Sequence, residues 1–191
     1  MAFASEFELE DELELELLES EDCPVSATPA KWDKPSLLEC RKSPAPLGTA
    51  FGMRVSGFDW KKATPPPAVH DPGRPVAQLH RDAISQIINE IQRMTTATNC
   101  VALEVRGYAD PLSELDIAKD ISAQRAEAFS GQLWDRILAR LPKDNQIRIK
   151  RKIWRGMGAA SPIWTVNTPR NRHLNRRVLV LVGPVSCGMT I

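Results

Sequence analysis

Ten of the fifteen prolines in this 191-residue chain fall at or before Pro75. Proline cannot donate to a ladder or continue a helix, so a compact core is expected to come from the later residues. Charge divides the chain in the same sense. Residues 1–22 carry ten acids and no Lys or Arg, while the remaining 169 hold all 25 basic residues against 14 acids. A net charge of +1 therefore conceals an acidic tail on a basic body. The chain divides into an acidic, disordered tail (1–22), a proline-rich linker (23–49), one α/β domain (50–185) and a short C-terminal tail (186–191).

Within the tail, Phe7, Leu9, Leu13, Leu15 and Leu17 alternate with acids. That period suits a strand that adds to an open sheet edge or meets a protein partner, although opposed carboxylates discourage it from standing alone. No secretory signal is legible, because the start is acidic and charge interrupts it at nearly every second position. Val178 to Gly183, the longest clean apolar run, is too short to span a bilayer. Leu37-Leu38-Glu39-Cys40 is set aside as a lipoprotein cleavage site, since no apolar segment precedes it.

From Phe51 onward the apolar periodicity orders the domain. Residues 51–60 suit a first strand and 64–75 a loop. Val76, Leu79, Ala83, Ile84, Ile87, Ile88, Ile91 and Met94 mark one face of a helix. Val101–Val105 reads as a second strand, and Ile117 to Leu141 as a second helix that stops before Pro142. Gln146–Trp154 is expected as a third strand with Ile147, Ile149 and Ile153 on one side, and Val178–Val182 as the last. The order β-α-β-α-β-β predicts two main helices on a mixed sheet, an α/β (α+β) fold.

Three spaced motifs sharpen this outline: Val105-Arg-Gly-Tyr-Ala-Asp110, Ile121-Ser-Ala-Gln-Arg125-Ala126, and Arg172-His-Leu-Asn175-Arg176-Arg177-Val178. Together they resemble the OmpA-like family, the peptidoglycan-binding domain of outer-membrane porins, peptidoglycan-associated lipoproteins and flagellar stator proteins. That family shows a strand ending in Gly-His-Thr-Asp, then Leu-Ser-x-x-Arg-Ala, then Gly-Arg-x-x-Asn-Arg-Arg-Val. The resemblance spans about residues 51–182 and implies a non-catalytic module of the cell envelope. Its implied ligand is the zwitterionic centre of diaminopimelate in a peptidoglycan stem peptide. Asp110 would take the ammonium and Arg125 the carboxylate, with Arg176 at the site edge, while Arg172 and Asn175 would order the loop before the last strand. The chain departs from the pattern at Tyr108, Ala109 and Ala118, where the family has His, Thr and a ligand-facing Asn, and Pro111-Leu112 replaces a glycine.

Asp110 and Arg125 make chemical sense without the family. An acid just past a strand and a guanidinium on the next helix can grip an amino acid's two charges, because ligand sites favour such strand ends. The same two groups can equally form a plain salt bridge between helix and sheet. A degenerate module that keeps the fold for protein interaction or secretion is the alternative to peptidoglycan binding.

Other chemistry finds little footing. Arg148, Lys150, Arg151, Lys152 and Arg155, together with the arginine-rich segment 170–177, form a basic patch in the sequence, but no nucleic-acid-reading motif accompanies it. Alternation is expected to put Arg148, Lys150 and Lys152 on one solvent face. His70, His80 and His173 and the four cysteines lack metal-ligand spacing, and no catalytic or cofactor motif is present, so neither an enzyme, a metal nor a cofactor is expected. Cys100 reads as a buried small hydrophobe, a Cys23–Cys40 bridge requires an oxidising compartment, and Cys187 has no neighbour to activate it.

Overall fold

The computed structural model describes residues 37–58, 76–95, 99–111, 114–160, 162–163 and 169–188. The acidic tail, Cys23 and the expected loop 64–75 lie outside them. The described elements are β1 (Leu38–Ala45), β2 (Gly48–Ser56), α1 (Val76–Met94), β3 (Cys100–Tyr108), α2 (Leu115–Arg140), α3 (Lys143–Ile147), β4 (Ile149–Gly156), α4 (Pro169–Asn175) and β5 (Arg177–Val185). The sheet order is β1-β2-β5-β3-β4. Only β3 and β4 pair in parallel, across the α2 crossover; the other three pairings are antiparallel. The mixed α/β fold is therefore present. No described helix is long and apolar enough to cross a membrane.

One face of the sheet carries the core. Phe51, Met53 and Val55 of β2, Val101, Leu103 and Val105 of β3, and Val178, Val180 and Val182 of β5 alternate onto that face. Ile84, Ile87, Ile88 and Ile91 of α1 and Phe129, Leu133 and Ile137 of α2 close over them. The two-residue period of the strands and the helical period of α1 thus bury a single apolar layer.

Two parts of the chain differ from the sequence expectation. Residues expected as linker include β1, whose Leu38 and Cys40 pack on the core and whose Glu39 pairs with Arg54 Nη2 at 3.0 Å on the other face. Pro44 is tolerated because an edge strand needs N–H donors on one side only. Nor does the third strand begin at Gln146. Residues 143–147 form the short helix α3, because Gln146 Nε2 donates to the carbonyls of Leu141 at 2.7 Å and Leu138 at 3.2 Å, closing the end of α2. Asn145 Nδ2 donates to Thr95 Oγ1, just past α1, at 2.7 Å. Ile147 is consequently 65% exposed rather than facing the core with Ile149.

The basic strand also differs from expectation. Arg148 precedes β4, Lys150 is half-buried, and Lys152 lies on the helix side with its ammonium 3.4 Å from the centre of the Trp134 ring. Arg155 stands on the opposite face, where its Nε is 2.9 Å from Glu104 Oε1. Cys100 is buried, but as half of a disulfide with Cys187 rather than as a lone hydrophobe.

His80 sits in the core beside Phe58, ring centres 4.6 Å apart, and its Nε2 is 3.1 Å from the Ser56 carbonyl. That carbonyl can only accept, so Nε2 carries a hydrogen and donates it. Burial lowers its pKa to about 4, against the partly opposing hydrogen bond to Ser56. Between pH 4 and 6.5 the unfolded chain then binds more protons than the folded one. Stability is present in full above pH 6.5 and falls as the pH drops towards 4, by about 3 kcal/mol from this residue. Urea midpoints measured across that range should show the slope in the wild type and lose most of it in His80→Gln. Equal slopes would remove His80 as its source.

Candidate functional site

The C-terminal ends of β2, β3 and β4 and the N-terminal end of β5 meet at one end of the sheet: Tyr108 pairs with Arg177, Ser56 with Arg177, and Gly107 with Gly156. All three predicted site residues come to this end. Asp110 follows β3 by two residues, Arg125 projects from α2, and Arg176 lies between α4 and β5.

Glycine fixes how α2 approaches. A Cβ on Gly107 would stand 1.9 Å from the Ser122 carbonyl oxygen, and one on Gly156 would stand 2.5 Å from the Ala123 nitrogen. Their absence lets a turn of the helix lie directly on the strand backbones. Ser122 is used twice there: its hydroxyl donates to the Lys119 carbonyl and accepts from the Gly158 N–H, both at 2.8 Å. Arg125, one turn further, donates from Nη1 to the Tyr108 carbonyl at 2.8 Å, with its guanidinium 5.7 Å from the Phe58 ring centre. Helix α2 therefore holds the backbone two residues before Asp110.

The closing motif forms the opposite wall. Backbone N–H groups of Gly57 and Phe58 donate to the carbonyls of His173 and Arg176, and Ser56 Oγ donates to the Leu174 carbonyl at 3.1 Å. Asn175 Oδ1 accepts the Ile163 N–H at 2.8 Å, an ordering contact within the loop. Arg176 Nη1 then stands 3.8 Å from Asp110 Oδ2, an ion pair longer than a hydrogen bond.

Access is the main surprise. Asp110 is 4% exposed, Arg125 1%, and Arg176 is buried as well. Ala109 and Ala118, where the family carries polar side chains, pack with Ile121 in a small apolar cluster against Ala159. Two residues outside the sequence prediction complete this end. Arg177 stacks its guanidinium 3.8 Å from the centre of the Tyr108 ring, and burial pulls its pKa down to about 10, so it stays charged at neutral pH. Gly156 is the other; its signal in the sequence was a lone glycine at the end of a basic run, which names no partner.

No protein-family model and no curated protein matches the sequence. Solved structures do. The OmpA-like domain of FopA1 from Francisella tularensis subsp. tularensis SCHU S4 aligns at 15% identity and a TM-score of 0.53, over 84% of this chain and 90% of that one. The periplasmic domain of Helicobacter pylori MotB aligns at 19% identity and a TM-score of 0.46, over 77% and 87%. The peptidoglycan-associated lipoprotein from Burkholderia pseudomallei aligns at 15% and 0.44, over 67% and 88%. The first of these, together with the strand order and the glycine-seated helix, identifies the chain as having the OmpA-like fold.

Proposed function

We propose that the domain is a non-catalytic peptidoglycan-binding module that holds the diaminopimelate zwitterion of a stem peptide. Asp110 takes the ammonium, Arg125 the carboxylate through its planar fork, and Arg176 supports the carboxylate from the rim. The observation that carries this reading is the gathering of one carboxylate and two guanidinium groups at the strand ends, with Asp110 and Arg176 in Coulombic contact at 3.8 Å. A ligand carrying both charges can replace such a contact on both sides. Two charged hydrogen bonds of ~1.5–3 kcal/mol each supply micromolar-to-millimolar affinity. The Cys100–Cys187 disulfide supports an envelope location, because such bonds persist in oxidising compartments.

The burial of Asp110 and Arg125, with alanines packed at positions 109 and 118, favours a second reading. In it the fold is kept as a protein-interaction or secretion-associated module and the charged groups are structural. Sedimentation with purified sacculi separates the two. On the first reading the wild type co-sediments, and Asp110→Asn and Arg125→Lys each weaken binding about 10- to 100-fold when compared at a temperature where circular dichroism shows both variants folded. Wild-type protein that stays in the supernatant sinks the first reading and leaves the second.

A further inference from the structure

Helix α2 carries a glycine that its packing does not require. Gly131 lies in the helix interior and is exposed, and a Cβ added there would meet nothing within 4 Å. Glycine at such a position weakens a helix relative to alanine, and no close approach of backbone offsets the loss, as one does at Gly107. The space left open is a groove of about 250 Å³ between α2 and β4, lined by Glu127, Ser130, Gly131, Trp134, Lys152 and Trp154. Trp154 is 54% exposed, so its indole offers the groove an aromatic surface. The rim is polar and carries both signs. Lys152 holds its ammonium 3.4 Å from the centre of the Trp134 ring, and two of its three N–H donors can serve other acceptors. Ser130 Oγ donates to the Ala126 carbonyl at 2.6 Å, which leaves its oxygen able to accept. Glu127 adds an exposed carboxylate.

An ion of either sign would meet its like on this rim, and a wholly apolar group would leave the donors and acceptors unused. A neutral ring with an apolar C–H face and a hydroxylated, amide-bearing edge satisfies both parts. We propose that the groove is a sugar subsite, in which one N-acetylated pyranose of a glycan stacks on Trp154 with its edge hydrogen-bonded to Lys152, Ser130 and Glu127. The choice of a cell-wall glycan rests on the stem-peptide reading above; the shape and chemistry of the groove do not. Position agrees with that choice. Trp154 precedes Gly156 by two residues, Gly156 pairs with Gly107, and Asp110 lies three residues beyond Gly107. These five residue steps amount to ~16 Å, a span that a stem peptide of a few residues can bridge to the sugar chain. Gly131 is then a specificity residue: any side chain there would occupy the ring's place.

Titration of the full chain with a β-1,4-linked N-acetylglucosamine tetrasaccharide, followed by the NMR signals of the indole N–H groups, tests this. Trp134 and Trp154 should shift together with a Kd of roughly 1 mM, as expected for one stacked ring and a few exposed hydrogen bonds. Trp154→Ala and Gly131→Leu should each weaken binding about tenfold or more. Leucine is a strong helix former, so Gly131→Leu should melt at or above the wild-type temperature, which separates a filled groove from a damaged fold. No shift in the wild type at about 10 mM sugar, or equal affinity in Gly131→Leu, overturns the proposal. Free diaminopimelate is the second probe, and its binding should persist in Gly131→Leu and be lost in Asp110→Asn. Wild-type protein that takes diaminopimelate but not the tetrasaccharide overturns the sugar subsite alone. Protein that takes the tetrasaccharide but not diaminopimelate supports the subsite and overturns the reading at Asp110.

Discussion

Replacing Gly107 by alanine should cost the domain at least about 3 kcal/mol, seen as a large fall in the urea midpoint. The added methyl carbon would stand 1.9 Å from the Ser122 carbonyl oxygen and 2.9 Å from the Ala126 nitrogen. Both atoms belong to the α2 backbone, so no side-chain rotation relieves the clash. The helix must move away from β3 by more than an ångström, which breaks the contact of Phe129 and Leu133 with the sheet and draws Arg125 off the Tyr108 carbonyl. Gly131→Ala is the internal control, because it lies on the same helix with nothing within 4 Å of its added carbon. That change should stabilise by about 0.5–1 kcal/mol through helix propensity. A Gly107→Ala protein that unfolds at the wild-type midpoint would mean that the helix does not sit where the glycines place it.

Loss of the Cys100–Cys187 bond should be comparably large. It joins residues 87 apart, and closing a loop of that length in the unfolded chain is worth about 4 kcal/mol on the chain-entropy argument. Cys100→Ala/Cys187→Ala should therefore melt roughly 10 °C lower than wild type. The bond lies at the opposite end of the sheet from Asp110, since Cys100 begins β3 and Cys187 follows β5. Sacculus binding, measured well below the melting temperature, should be the same in both proteins. An unchanged melting temperature would show that the two sulfurs contribute no cross-link.

The sequence revealed some of these features and hid others, for physical reasons. Helix α1 was legible to the residue, because its apolar positions from Val76 to Met94 recur at helical spacing and all of them are buried. The central strands were legible as apolar runs for the same reason. Strand β1 was not, because Pro44 and Pro46 mark a linker unless one knows that the strand lies at an edge. Ile147 counted as strand because its apolarity outweighed Gln146 and Asn145, whose role in closing helix ends depends on carbonyls that no pattern displays. Pairing of Cys100 with Cys187 left no local trace, since two cysteines 87 residues apart carry no spacing rule. At the candidate site, the identities and chain spacing of Asp110, Arg125 and Arg176 were readable. Their exposure was not, because three elements distant in sequence determine it.

The hairpin at the sheet margin has a consequence for anyone who moves this domain into another protein. Glu39 and Arg54 face each other across β1 and β2, and Arg54 is 1% exposed. A graft begun at residue 50 would discard that carboxylate from a buried guanidinium and bare the β2 backbone to any passing copy. The transplantable unit starts no later than Leu37, with proline-rich chain that looks dispensable on paper.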